Sequence, residues 1–133
     1  FNRLAKLRST FNSNVQASPT LAGLVGLVRA SLESGTLSAR HCSSMFWATS
    51  LLLRQVPELS SLFPLYVEML KFVAGDMNEI DLANVVYSCA IAGIKEGLLR
   101  ELLPVLVERI VDRADGMNAQ HIANIVWASA KLK

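Results

Sequence analysis

The chain has 133 residues, 52% of them hydrophobic but only 7% aromatic, and 13 Lys and Arg against 11 Asp and Glu leave a formal net charge of +2. A length near the usual domain size, at this apolar fraction, excludes disorder over most of the chain and allows one compact or elongated unit. The total shows no marked basic excess of the kind nucleic-acid binders often carry. No uncharged apolar run approaches the ~20 residues of a membrane span, the best being Leu82 to Ile94, so no membrane insertion is expected.

The chain opens on Phe1 rather than Met, with Arg3, Lys6 and Arg8 and no acid in its first eight residues, which points to a processed or partial chain. Leu4 to Leu7 is similar to Ser129 to Leu132 and reads as the tail of a helix, followed by a polar loop from Ser9 to Ala17. A helix is predicted from Ser18-Pro19-Thr20-Leu21 to Glu33, with Pro19 near its start and Leu21, Leu24, Val25, Val28 and Leu32 on one face. Gly23 and Gly26 weaken it by about 1 kcal/mol each relative to alanine.

From here the chain repeats itself at a shift of forty. Met77 to Ala90 lies over Met117 to Ala130 with the shared pattern M-N-x-x-x-[LI]-A-N-[VI]-V-[YW]-x-x-A, and Leu37 to Ala48 keeps the polar start, the paired apolar residues and the aromatic. Leu62-Phe63-Pro64-Leu65-Tyr66-Val67-Glu68 lies over Leu102-Leu103-Pro104-Val105-Leu106-Val107-Glu108 in the same frame. Ser38, Asn78 and Asn118 suit N-capping of a first helix. In the second copy Leu82, Val85, Val86, Cys89 and Ala90 form one buried stripe, and Gly93 ends the helix. A second helix is predicted over Leu62 to Val73 and Leu102 to Arg113, with Pro64 and Pro104 in its first turn or at a kink near its start. Gly35, Gly75 and Asp115-Gly116 close successive units as chain reversals.

The fold class is therefore all-α: an α-solenoid of helix-turn-helix hairpins with a forty-residue repeat. Residues 1–35 are a partial repeat, 36–75 and 76–115 are repeats, and 116–133 is the first helix of a further one. Such an array has open ends. The chain is expected to continue past Lys133, or neighbouring protein subunits cover the ends.

Cys42 and Cys89 lack ligand or redox spacing and read as small buried thiols. His41 and His121 occupy one repeat position two units apart, too far for a shared metal. No carboxylate pair, nucleophile with a base, or phosphate loop stands in context, so the expectation is a protein that is not an enzyme and uses no cofactor or metal.

Met117 to Leu132, with its Ala123-Asn124-Ile125-Val126-Trp127-Ala128 core, resembles the first-helix signature of the octotricopeptide repeat family and its relatives in RAP-domain proteins, roughly polar-x-[PAE]-Q-[DE]-[LI]-A-N-x-[LV]-W-A-x-A-[KT]-L. Ala83-Asn84-Val85-Val86-Tyr87 follows it with tyrosine for tryptophan; the first copy departs at Ser43-Ser44, where the family shows Ala-Asn. The resemblance implies an α-solenoid that binds RNA in mitochondria, or alternatively plastids. Such proteins act in RNA stability, processing or translation, or as mitochondrial ribosome subunits contacting rRNA. Spacing alone equally admits a HEAT- or armadillo-like protein–protein scaffold.

Candidate RNA-binding residues follow from two patterns. On the first helices, Arg40, His41 and Ser44, then Asp81, Asn84 and Ser88, then Gln120, His121 and Asn124 lie on one side and form a ladder of hydrogen-bonding groups. Along the chain, Arg3, Lys6, Arg8, Arg29, Arg40 and Arg54 face only Glu33 up to residue 54, a net +5, while seven basic and ten acidic residues give the remainder −3. The first half can hold phosphates through Arg3, Lys6, Arg8, Arg29 and Arg40. Trp47, Tyr87 and Trp127 are expected to pack between the two helices of each hairpin rather than stack on bases.

Overall fold

The computed structural model describes residues 2–10 and 18–133, so most of the loop expected from Ser9 to Ala17 lies outside the described residues. Those residues are all-helical: α1 (Asn2–Lys6), α2 (Pro19–Ser34), α3 (Ala39–Leu52), α4 (Phe63–Val73), α5 (Glu79–Ala92), α6 (Glu96–Arg113) and α7 (Ala119–Lys131). Helix α1 packs on α3, α3 on α5 and α5 on α7, which makes a first row. Helix α2 packs on α4 and α4 on α6 in a second row, and α3–α4 and α5–α6 join the two.

Each long first-row helix starts where a side chain can take an unpaired N–H of its first turn. Ser38 Oγ accepts from the His41 amide at 3.2 Å, and Asn78 and Asn118 Oδ1 accept from Asp81 and His121 at 2.9 Å. In the latter two the bond is returned: the Asn78 amide donates to Asp81 Oδ2 and the Asn118 amide to His121 Nδ1, closing capping boxes. Helices α2 and α5 end at Gly35 and Gly93, which adopt the left-handed conformation at φ 68° and 60°.

Gly75 and Gly116 close their units as chain reversals, as expected. They lie in 3-10 turns, Ala74–Asp76 and Ala114–Gly116, which reverse the chain through tightened bonds from the Met77 and Met117 amides to the Ala74 and Ala114 carbonyls. Pro64 stands in the first turn of α4, as expected, but Pro104 is inside α6. The reason is the preceding segment. Val56-Pro57 forces a 3-10 stretch, Pro57–Leu62, ahead of α4, whereas Glu96 to Leu102 is rich in helix formers and lets α6 start eight residues before its proline.

The core runs between the rows. Phe46 stands edge-on to Phe63 at 6.2 Å and tilted against Tyr66 at 5.2 Å, and the buried Tyr66 hydroxyl shares a 2.7 Å hydrogen bond with Thr49 Oγ1. Leu59, Leu62, Leu70, Met77, Leu82, Leu102 and Leu106 continue it with no exposure to solvent to speak of. Polar ties cross from one helix pair to the next: Arg29 to Ser61, Lys71 to Glu101, and Arg109 to the Gly75 carbonyl. No helix among the described residues is long and apolar enough to cross a membrane.

Candidate nucleic-acid interface

Capping decides which polar side chains of the expected ladder remain available. Asp81 is buried, accepts from the Asn78 amide and faces Arg40 across α3 and α5 at 3.5 Å, so it is consumed structurally. His121 accepts from the Asn118 amide through Nδ1 and so is engaged by its own helix cap. Ser88 is buried and donates to the Asn84 carbonyl at 2.6 Å. His41 is exposed, Ser44 and Asn84 are half-buried, and Gln120 Nε2 donates to Asn124 Oδ1 at 2.9 Å.

What remains is a narrower row than the sequence suggested. Residues 40, 44 and 47 on α3, 80, 84 and 87 on α5, and 120, 124 and 127 on α7 stand at i, i+4 and i+7, one helical face on each first-row helix. That face carries Arg40, Ser44 and Trp47, then Ile80, Asn84 and Tyr87, then Gln120, Asn124 and Trp127. Trp47 packs against the core as expected, while the other two aromatics differ. Tyr87 and Trp127 do not pack away between the two helix rows; their rings meet each other across α5 and α7 at 5.2 Å, 34° between planes. Trp127 stays 42% exposed, and Lys131 Nζ lies 5.8 Å from its ring centroid. Small residues beside the aromatics let neighbouring first-row helices approach: Ala83 and Ala128 are fully buried. The i, i+3 step from Asn84 to Tyr87 and from Asn124 to Trp127 was readable in the sequence and is the signal that joins ladder and aromatics.

The basic residues are divided between the two rows. Arg3 and Lys6 are exposed on α1, and Arg8 donates to the Ala5 carbonyl at 2.9 Å. Arg29 belongs to the second row and is turned to Ser61 in the stretch before α4, while Arg40 belongs to the first row. The electrostatics elsewhere are quiet. Burial pushes both the Cys42 and Cys89 thiols up to about 12, far from a nucleophile's range. Burial likewise raises the Tyr66 phenol, and the hydrogen bond and charge of Glu68, then those of Glu101, hold the Lys71 ammonium above its usual value. The half-exposed face offers amides and hydroxyls that can pair with base edges and flat rings on which a base can stack.

No family model matches the chain, and neither the curated proteins nor the solved structures contain a match to it.

Proposed function

We propose that the chain is a segment of an α-solenoid of forty-residue helix hairpins, related to the octotricopeptide repeats, that binds single-stranded RNA without catalysis in mitochondria or plastids. A place in an organellar ribosome, on rRNA, is one such role. The observation that carries the reading is the first-row face, where an aromatic at 47, 87 and 127 follows a hydrogen-bonding side chain at 44, 84 and 124 on three neighbouring helices. Asn84 is half-buried on α5 and Trp127 part-exposed at the corresponding face of α7, and the cations Arg40 and Lys131 can take phosphates. The organelle rests on the resemblance of Met117 to Leu132 alone.

The test is a salt titration of single-stranded RNA binding, read by Trp fluorescence quenching. Two phosphate contacts on a single strand give a slope of about −1.4 in log K against log salt. Trp127→Ala should weaken binding by roughly tenfold or more, since stacking contributes about 1–3 kcal/mol per base. Negligible affinity at low salt, or full affinity in the Trp127→Ala protein, would sink the RNA reading. A slope about two units steeper, near −3.5, would add contacts at Arg3, Lys6 and Arg8.

A further inference from the structure

Forty residues apart, the outward stripes of α4 and α6 hold the same positions with different chemistry. On α6 the stripe reads Glu101, Val105, Glu108 and Asp112, at i, i+4, i+7 and i+11. On α4 it reads Leu65, Glu68 and Phe72, and the aromatic that stands in the place of Asp112 is 78% exposed. Helix α4 already has α2 on one flank and α6 on the other, so the bare ring is not a surface that stacking would cover. Beside it a groove of about 370 Å³ runs between α2 and α4. Buried Leu32 and Met69 with half-buried Leu65 form its floor, Phe72 one wall, and the exposed Glu33 and Glu68 its rims. The next interval along the row is tied shut instead: Lys71 reaches Glu68 at 3.4 Å and crosses to Glu101 on α6 at 3.5 Å.

We propose that the α2–α4 groove docks a basic amphipathic helix of a protein partner, which seats a large apolar side chain beside Phe72 and sets Lys or Arg on Glu33 and Glu68. Charge selects this occupant. Among the described residues Glu33 pairs with no cation, and the two cations nearest the groove in sequence are turned elsewhere, Arg29 to Ser61 and Lys71 partly to Glu101. The rims are therefore left negative on both sides of an apolar floor. A partner's cation meets a carboxylate on either rim and can also lie over the exposed Phe72 ring. A phosphate backbone meets like charge on the same rims and is turned away. The space between two packed helices, whose axes stand roughly 8 to 10 Å apart, suits the ridge of a third. This is helix-in-groove recognition on the second row, and it stands independently of RNA binding at the first-row face.

The probe is a fluorescein-labelled helical peptide of ~18 residues, with leucines at i, i+3, i+4 and i+7 and lysines elsewhere, titrated onto the chain by anisotropy at low salt. A counterpart with glutamate for lysine is titrated alongside. The expected result is saturable binding of the lysine peptide and none of the glutamate peptide. Phe72→Ala should weaken the lysine peptide by roughly tenfold or more, as truncation of an aromatic anchor does, and Glu33→Gln with Glu68→Gln should weaken it severalfold. Helical content should stay unchanged in both variants, because all three side chains are exposed. Absence of saturable binding overturns the proposal, as does binding that ignores Phe72→Ala or a glutamate peptide that binds equally well. A dimer of the chain alone that Phe72→Ala abolishes also overturns it, since a second copy would then fill the groove. So does a loss of single-stranded RNA binding in Phe72→Ala that matches the loss of peptide, since nucleic acid would then occupy this face.

Discussion

Leu82 and Ile122 hold the same place in α5 and α7, forty residues apart, yet Leu82 is fully buried and Ile122 is 51% exposed. Truncating each to alanine isolates the effect of one more layer of helices. Leu82→Ala removes a side chain packed on all sides, and such truncations cost about 2–5 kcal/mol as lost transfer energy plus the cavity left behind. Ile122→Ala removes a similar volume that is already half in water; at ~0.8 kcal/mol per buried methylene this is about 1 kcal/mol. Both changes favour the helix intrinsically by similar small amounts, so propensity does not account for the difference. For a chain of this size the midpoint falls by about 2–5 °C per kcal/mol. Leu82→Ala should then melt roughly 10 °C lower and Ile122→Ala only a few degrees lower, by circular dichroism, with urea midpoints in the same order. Equal losses at the two positions would mean that Ile122 is enclosed in solution, and the picture of an open α6–α7 face would be wrong.

Two further expectations are independent of that face. Tyr66→Phe leaves the buried Thr49 hydroxyl without its partner and should cost about 1–2 kcal/mol, while Thr49→Val combined with Tyr66→Phe should recover part of the loss, because no polar group is then stranded; urea titration of the single and double variants reads this, and additive losses would contradict it. Cys42 and Cys89 keep their protons when folded up to about pH 12 but release them near 9 when unfolded, so the unfolded chain binds fewer protons over that window and stability should fall as pH rises from about 9 toward 12. A Cys42→Ala, Cys89→Ala protein should lose less over the same window, and a thiol reagent at pH 8 should label the native protein only as fast as it unfolds.

The helix frame was legible because it depends on local chemistry. Ser38, Asn78 and Asn118 cap as their side chains require, and the forty-residue shift located the first-row helices to within a residue or two. The second helix was less legible. Leu102 to Glu108 copies Leu62 to Glu68 closely, and the difference in outcome was set upstream, by Pro57 against a run of helix formers at Glu96 to Leu102. At the candidate site the ladder was read from spacing, which counts side chains without asking what else claims them. Asp81 and His121 were claimed by their own helix caps, and Ser88 by the Asn84 carbonyl. The pairing of Tyr87 with Trp127 depends on how far apart α5 and α7 lie, which no single-helix pattern encodes.

The packing of each helix chiefly on its neighbours one or two places along the chain has a mechanical consequence. A pull on the two termini does not load one central seam; it loads the outermost helices first, and each hairpin that peels away leaves the next with a newly bared side. Extension between anchors should therefore lengthen in steps, a released α5–α6 pair, residues 79–113, supplying about 115–125 Å of contour at full extension.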